Sequence, residues 1–165
     1  MEEIEVPTEH LHEEINEQAQ HERSNWSFYV AISTALMAVM AAVASLLAGH
    51  HSNEAVIDQI RASDQWAYYQ AKGIKAEIAG MLSKDTVKTA KYAREQHAIQ
   101  ENAREHEQSS ARHLAMHVFL ARAVTLFQIA IAISAVSIIS KKKALWFTAL
   151  VFVAAGIVCF CQSFL

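Results

Sequence analysis

A chain of 165 residues that is 53% hydrophobic, with one Pro and four Gly, is built for helices. Its net charge of −3 offers no basic excess for nucleic acid. The two cysteines, Cys159 and Cys161, sit two apart and point to different faces of a helix, so no disulfide framework is expected.

Residues 1–25 hold eight Glu, with Arg23 as their one strong base. Helix-favouring residues run from Thr8 to Arg23, and the segment is expected as a surface helix or as an interaction tail without fixed structure. It places Glu9 three residues before His12, with Glu13, Glu17 and His21 close by. A carboxylate-bridged dimetal centre needs two such Glu-x-x-His pairs on packed helices, and this chain has one.

Residues 26–48, WSFYVAISTALMAVMAAVASLLA, form the first of three apolar stretches; residues 117–140 and 144–165 form the others. Each has about 20 residues or more, enough to cross a hydrocarbon core of roughly 30 Å. They predict an all-α integral membrane protein with three transmembrane helices, whose surrounding partner is the lipid bilayer. The first stretch follows an acidic, polar leader and is long, which marks a retained span rather than a cleaved signal peptide. It carries small residues at four-residue steps, Ala31/Ala35, Ala38/Ala42, Ala41/Ser45 and Ala44/Ala48. Such spacing lets membrane helices approach closely and predicts a homo-oligomer, with Ala38 and Ala42 as contact residues. Ser33, Thr34, Ser45 and Thr125 are the residues that a modest transport path would use, although they pack helices equally well.

Residues 49–116 read as an extramembrane helical hairpin of coiled-coil type between spans one and two. Ser52 and Asn53 are N-cap candidates for its first helix. Val56, Ile57, Ile60, Ala67, Ile74, Ile78 and Met81 recur at helical steps and mark one face. Gly80 and Ser83–Thr86 break the pattern, and Ser83 or Asp85 can cap the return helix. That helix has Asp85 with Lys88 and Lys91 with Glu95 at neighbour spacings, and no Gly or Pro interrupts it up to Ser140. A rod of that length measures about 80 Å. Its core is poor: Ala90, Ala93, Ala98, Ala103 and Ala111 are its small apolar residues. Stability therefore needs close alanine packing, neighbouring subunits, or both.

Four histidines lie near the ends of the spans, His50 and His51 after the first, His113 and His117 before the second, with His106 one heptad earlier. Imidazoles meeting there would bind zinc, copper or nickel, or sense pH. No cysteine joins them, the nearby acids are Glu54, Glu105 and Glu107, and the expectation is a structural role with no cofactor. Arg122 is the one charge inside a span, close enough to its end to snorkel to water. Lys141, Lys142 and Lys143 link spans two and three and belong in the cytoplasm by the positive-inside rule. The N-terminus is then cytoplasmic and the insert periplasmic. Trp26 and Trp146 agree, each opening its span on the cytoplasmic side. The insert opposes this with nine Lys or Arg, balanced by nine Asp or Glu.

The string WAYYQAK from Trp66 to Lys72 is the most distinctive in the chain. Trp66, Tyr69 and Gly73 share a helix face while Tyr68 points elsewhere. The string is either a docking patch built on Trp66, Tyr68 and Tyr69, or an aromatic lock against the alanine-rich return helix, with Gly73 admitting close approach. The segment SDQWAYYQAKGIK, Ser63–Lys75, resembles the bacterial family described as domain of unknown function 4337, as does the order of leader, span, insert and closing span pair. The resemblance implies a bacterial inner-membrane protein and transfers no catalytic or binding residue. No nucleotide loop, nucleophile elbow or acid–base pair is present, so an enzyme is not expected. The leading expectation is a membrane scaffold or interaction protein. The alternatives are a small channel or transporter subunit and an envelope metal or pH sensor.

Overall fold

The computed structural model describes residues 25–82 and 86–164. Helix α1 spans Asn25–Leu82, α2 Thr86–Ser140 and α3 Lys143–Gln162, and no strand occurs among the described residues. Each helix contains a stretch long and apolar enough to cross a membrane. The segment Thr8–Arg23, the residues Glu9, His12, Glu13, Glu17 and His21, the caps at Ser83 and Asp85, and the Asp85–Lys88 pair lie outside the described residues.

The cap expected at Ser52 and Asn53 is not made, because α1 runs unbroken through Gly49, Ser52 and Asn53. Nor does Gly80 end the helix, which continues to Leu82. An interior Gly costs a helix about 1 kcal/mol relative to Ala, a modest penalty beside the packing on either side. His117 Nδ1 donates to the Ala48 carbonyl at 2.9 Å, and Ser110 Oγ donates to the Ala55 carbonyl at 2.8 Å.

Two compact units divide the chain. The first takes the described residues up to Gly49 and those from Met116 onward; the second takes His50–Ala115. In the first unit α1 and α2 run antiparallel, and α3 packs against both. Val30 and Ala31 meet Ala135 and Ile138, with Trp26 and Trp146 alongside. Met37 meets Ala130, Ile131 and Ala149. Ala41 and Ala44 meet Ala123 and the fully buried Phe127. Thr34 Oγ1 and Ser33 Oγ both donate to the Val30 carbonyl within α1, and Ser33 accepts from Trp146 Nε1 of α3 at 3.1 Å. Lys141 ends α2 in the left-handed region at φ 55°, and Ser137 Oγ donates to the Lys142 carbonyl across the turn.

In the second unit α1 and α2 also run antiparallel, in a register set by Ala55 with Ser110 and Tyr69 with Gln96. Ala62 and Ala103 are fully buried at matching levels, with Ile99 and Ala55 nearly so. Of the five alanines expected to pack the return helix, only Ala103 is buried; Ala90, Ala93, Ala98 and Ala111 are exposed. The face bearing Ile57, Ile60, Ile74, Ile78 and Met81 is exposed as well, so α1 meets α2 through its small residues.

Candidate functional site

Small residues bring the two helices of the second unit close enough for polar side chains to reach across. Asp58 is the central one. It lies on the buried face of α1, in the same helical register as Ala55 and Ala62. The Ser109 hydroxyl donates to its carboxylate, Arg61 Nη1 lies 3.3 Å away, and His106 Nδ1 lies 3.4 Å away. Ser109, with Arg61 and His106, holds the Asp58 carboxyl below its ordinary 3.8 against the opposing effect of burial. This cluster was missed in the sequence, where Asp58 reads as one more insert charge. Its signal is a carboxylate three residues from Ala55 and four from Ala62, on the face that these two alanines mark.

The aromatic string lies about two to four turns further along α1 from Asp58. Trp66 and Tyr69 pack edge to face at 5.6 Å, and Trp66 Nε1 donates to Glu107 Oε1 at 2.8 Å. Side chains on a helix lean toward its N-terminus, so on antiparallel helices Trp66 and Glu107 lean toward each other. Gln96 Nε2 donates to the Tyr69 carbonyl at 3.4 Å, and a Cβ at Gly73 would stand 2.8 Å from that nitrogen. Lys72 Nζ donates to Glu95 Oε2 at 2.6 Å and lies over the Tyr68 and Tyr92 rings at 5.4 and 5.6 Å. Lys91 also reaches Glu95, at 3.9 Å. Trp66, Tyr69 and Lys72 thus face α2, whereas Tyr68 remains half exposed.

The Glu95 contact raises the pKa of Lys72 above 10.5, and Lys72 lowers that of Glu95 below 4.5. A lowered carboxylate stabilises the fold above its unfolded value and loses that contribution as pH falls through the folded one. A raised lysine contributes below its unfolded value and loses it as pH rises through the folded one. The Lys72–Glu95 contribution is therefore expected to stay constant between 4.5 and 10.5, fading below and above that window. Asp58 adds a second acid limb below 3.8. Hydrogen exchange of the amides in 91–110 across an acid titration checks this, with Glu95→Gln removing one limb and Asp58→Asn the other.

Of the histidines, the structure brings His51 and His113 together, with Nδ1 atoms 3.0 Å apart, and sets the His50 ring 5.4 Å from that of His51, tilted by 54°. One Nδ1 must donate and the other accept, which fixes complementary protonation of the two rings. His106 turns to Asp58, and His117, in the first unit, to the Ala48 carbonyl. No group of three or more metal-type ligands converges among the described residues. Arg122 is exposed and lies 5.8 Å from the Phe119 ring centroid. Ala31, Ala41, Ala44 and Ala48 are buried within their own unit, Ala38 packs beside Met37 and Ala149, and Ala42 is exposed.

A family model described as Domain of unknown function (DUF4337) matches residues 26–87 and 79–165. No curated protein and no solved structure matches the chain.

Proposed function

We propose that this chain, which belongs to the domain of unknown function 4337 family, is a non-enzymatic membrane scaffold that assembles with copies of itself. The observation that carries this reading is the two-faced character of α1 in the second unit. One face holds α2 through Ala55, Asp58 and Ala62; the opposite face presents Ile57, Ile60 and Ile74 with nothing over them among the described residues. Polar side chains in this unit reach across to hold the helix pair, as the Trp66–Glu107 and Lys72–Glu95 contacts do. They give the pair the character of a fixed spacer, a helical hairpin outside the bilayer.

The three apolar helices lie in a bacterial inner membrane on this reading, with Lys141–Lys143 in the cytoplasm and the hairpin in the periplasm. A reporter fused after Leu165 then reads periplasmic, and cysteine at the exposed position Gln108 is labelled by an impermeant reagent in spheroplasts. Cytoplasmic behaviour of both probes would reverse the orientation. The mass of the detergent-solubilised protein tests the scaffold: a defined oligomer is expected, and a monomer at every concentration and in every detergent would end the reading.

The His51–His113 contact favours a second reading, an envelope sensor of pH or metal. Two imidazoles sharing one proton separate when both become charged. Stoichiometric zinc or copper in tag-free protein, lost on replacing His50, His51, His113 and His117 by Gln, would put this reading first; unchanged assembly without metal leaves the scaffold.

A further inference from the structure

We infer that the outward face of α1 between Ile57 and Met81 is the docking surface for a second copy of this chain, lying parallel and in register. The inference rests on the self-association proposed above and assigns its contact surface. Ile57, Ile60, Ala67, Ile74, Ile78 and Met81 occupy alternating three- and four-residue steps of one heptad frame, with Asp64 and Ala71 in the two remaining places. All are exposed, Ile60 at 56%, Ile74 at 58% and Met81 at 85%. A 3.5-residue period keeps a stripe facing one partner helix over several turns, whereas an ideal helix drifts about 20° per heptad from it. The stripe lies diametrically opposite Ala55 and Ala62, so covering it leaves the contacts with α2 untouched. Outside a bilayer, a line of isoleucines this long calls for an apolar cover.

The same face of a second copy fits best. The outward side of α2 carries Glu101, Arg104, Glu105, Gln108 and Arg112, all exposed, so a neighbour's α2 would set charges against isoleucine. Counted along the sequence, the frame also contains the exposed Ile32, Leu36, Val39, Val43 and Leu46 of the first unit. Two chains inserted the same way into one bilayer have parallel α1 helices. Parallel pairing sets Val56 beside the second copy's Arg61, Ser63 beside its Tyr68 and Gln70 beside its Lys75, so no like charges meet along the flanks. Asp64 is the one charged residue in the stripe between Ile57 and Met81, and in register it approaches its own copy, a cost removed by Asp64→Leu. Antiparallel pairing would instead set Glu54 beside the second copy's Lys75, but it requires chains held in opposed bilayers.

The test uses the full chain in native membranes with Cys159 and Cys161 replaced by Ser. Ile60→Cys and Ile74→Cys should each give disulfide dimers on mild oxidation, and Arg104→Cys should not. Ile60→Ser with Ile74→Ser should weaken dimerisation at least about tenfold, and Asp64→Leu should strengthen it. An oligomer by mass that cross-links at neither Ile60→Cys nor Ile74→Cys would overturn this surface while leaving self-association in place. A monomer by mass would remove both. Cross-linking only between Ile57→Cys on one chain and Ile74→Cys on another would overturn the parallel register.

Discussion

Ala62→Leu is expected to force α1 and α2 of the second unit apart. Ala62 and Ala103 are both fully buried and stand at matching levels in the register set by Ala55 with Ser110 and Tyr69 with Gln96. A leucine has no space to enter without displacing the facing helix. Overpacking a tight contact costs typically about 1–3 kcal/mol, and the upper part of that range is expected here because backbone must move rather than a side chain. The separation also stretches Asp58–His106 and Lys72–Glu95, which depend on the same close approach. Ala103→Leu should do the same, and the double variant should cost less than the sum, since the first leucine has already opened the gap. Gln59→Leu, on the exposed side of α1, should change stability by less than about 0.5 kcal/mol. Thermal unfolding in detergent, read with hydrogen exchange at 95–110, measures all four. An Ala62→Leu variant as stable as the parent would refute the alanine contact as the determinant of helix spacing.

Gly156→Leu is expected to detach α3 from the α1–α2 pair of the first unit. A Cβ at Gly156 would stand 2.8 Å from Phe127 Cε1 and 3.0 Å from Cδ1. That ring is fully buried against Ala41, Ala44 and Ala123 and cannot swing clear. Within a bilayer, lipid replaces water outside the bundle, so helix association depends on packing rather than on the hydrophobic effect. Gly156 is one of two buried residues on α3, the other being Ala149. A loss of about 1–3 kcal/mol is expected, recovered in part when Phe127→Ala is combined with Gly156→Leu. Gly49 supplies the contrast, having open space around its Cβ position, and Gly49→Ala should stabilise α1 by about 0.5–1 kcal/mol. At Gly73 the neighbour is the end of the Gln96 side chain, which can rotate away, so Gly73→Ala should be far milder than Gly156→Leu. Equal stability of Gly156→Leu and parent, by unfolding in mixed detergent, would show that α3 is held elsewhere.

The three apolar stretches and the all-helical class follow from length and composition, because about 20 apolar residues without a breaker have few other fates. The unbroken return helix followed from the absence of Gly and Pro after Asp85. The fit at Gly73 was legible too, since a glycine one turn past Tyr69 on the same face is a place for the return helix to come close. Periodicity could also identify the line of isoleucines as one helix face, but not what that face meets. Two faces of α1 repeat at nearly the same period, one alanine-rich and one isoleucine-rich, and only tertiary packing chose the alanine face for α2. The choice exposes Ile60 and buries Asp58, the reverse of what side-chain hydrophobicity alone selects. The physical reason lies in the spacing between helices. Alanine lets the backbones approach until Ser110 reaches the Ala55 carbonyl and His106 reaches Asp58, whereas isoleucine would hold those donors and acceptors too far apart to bond.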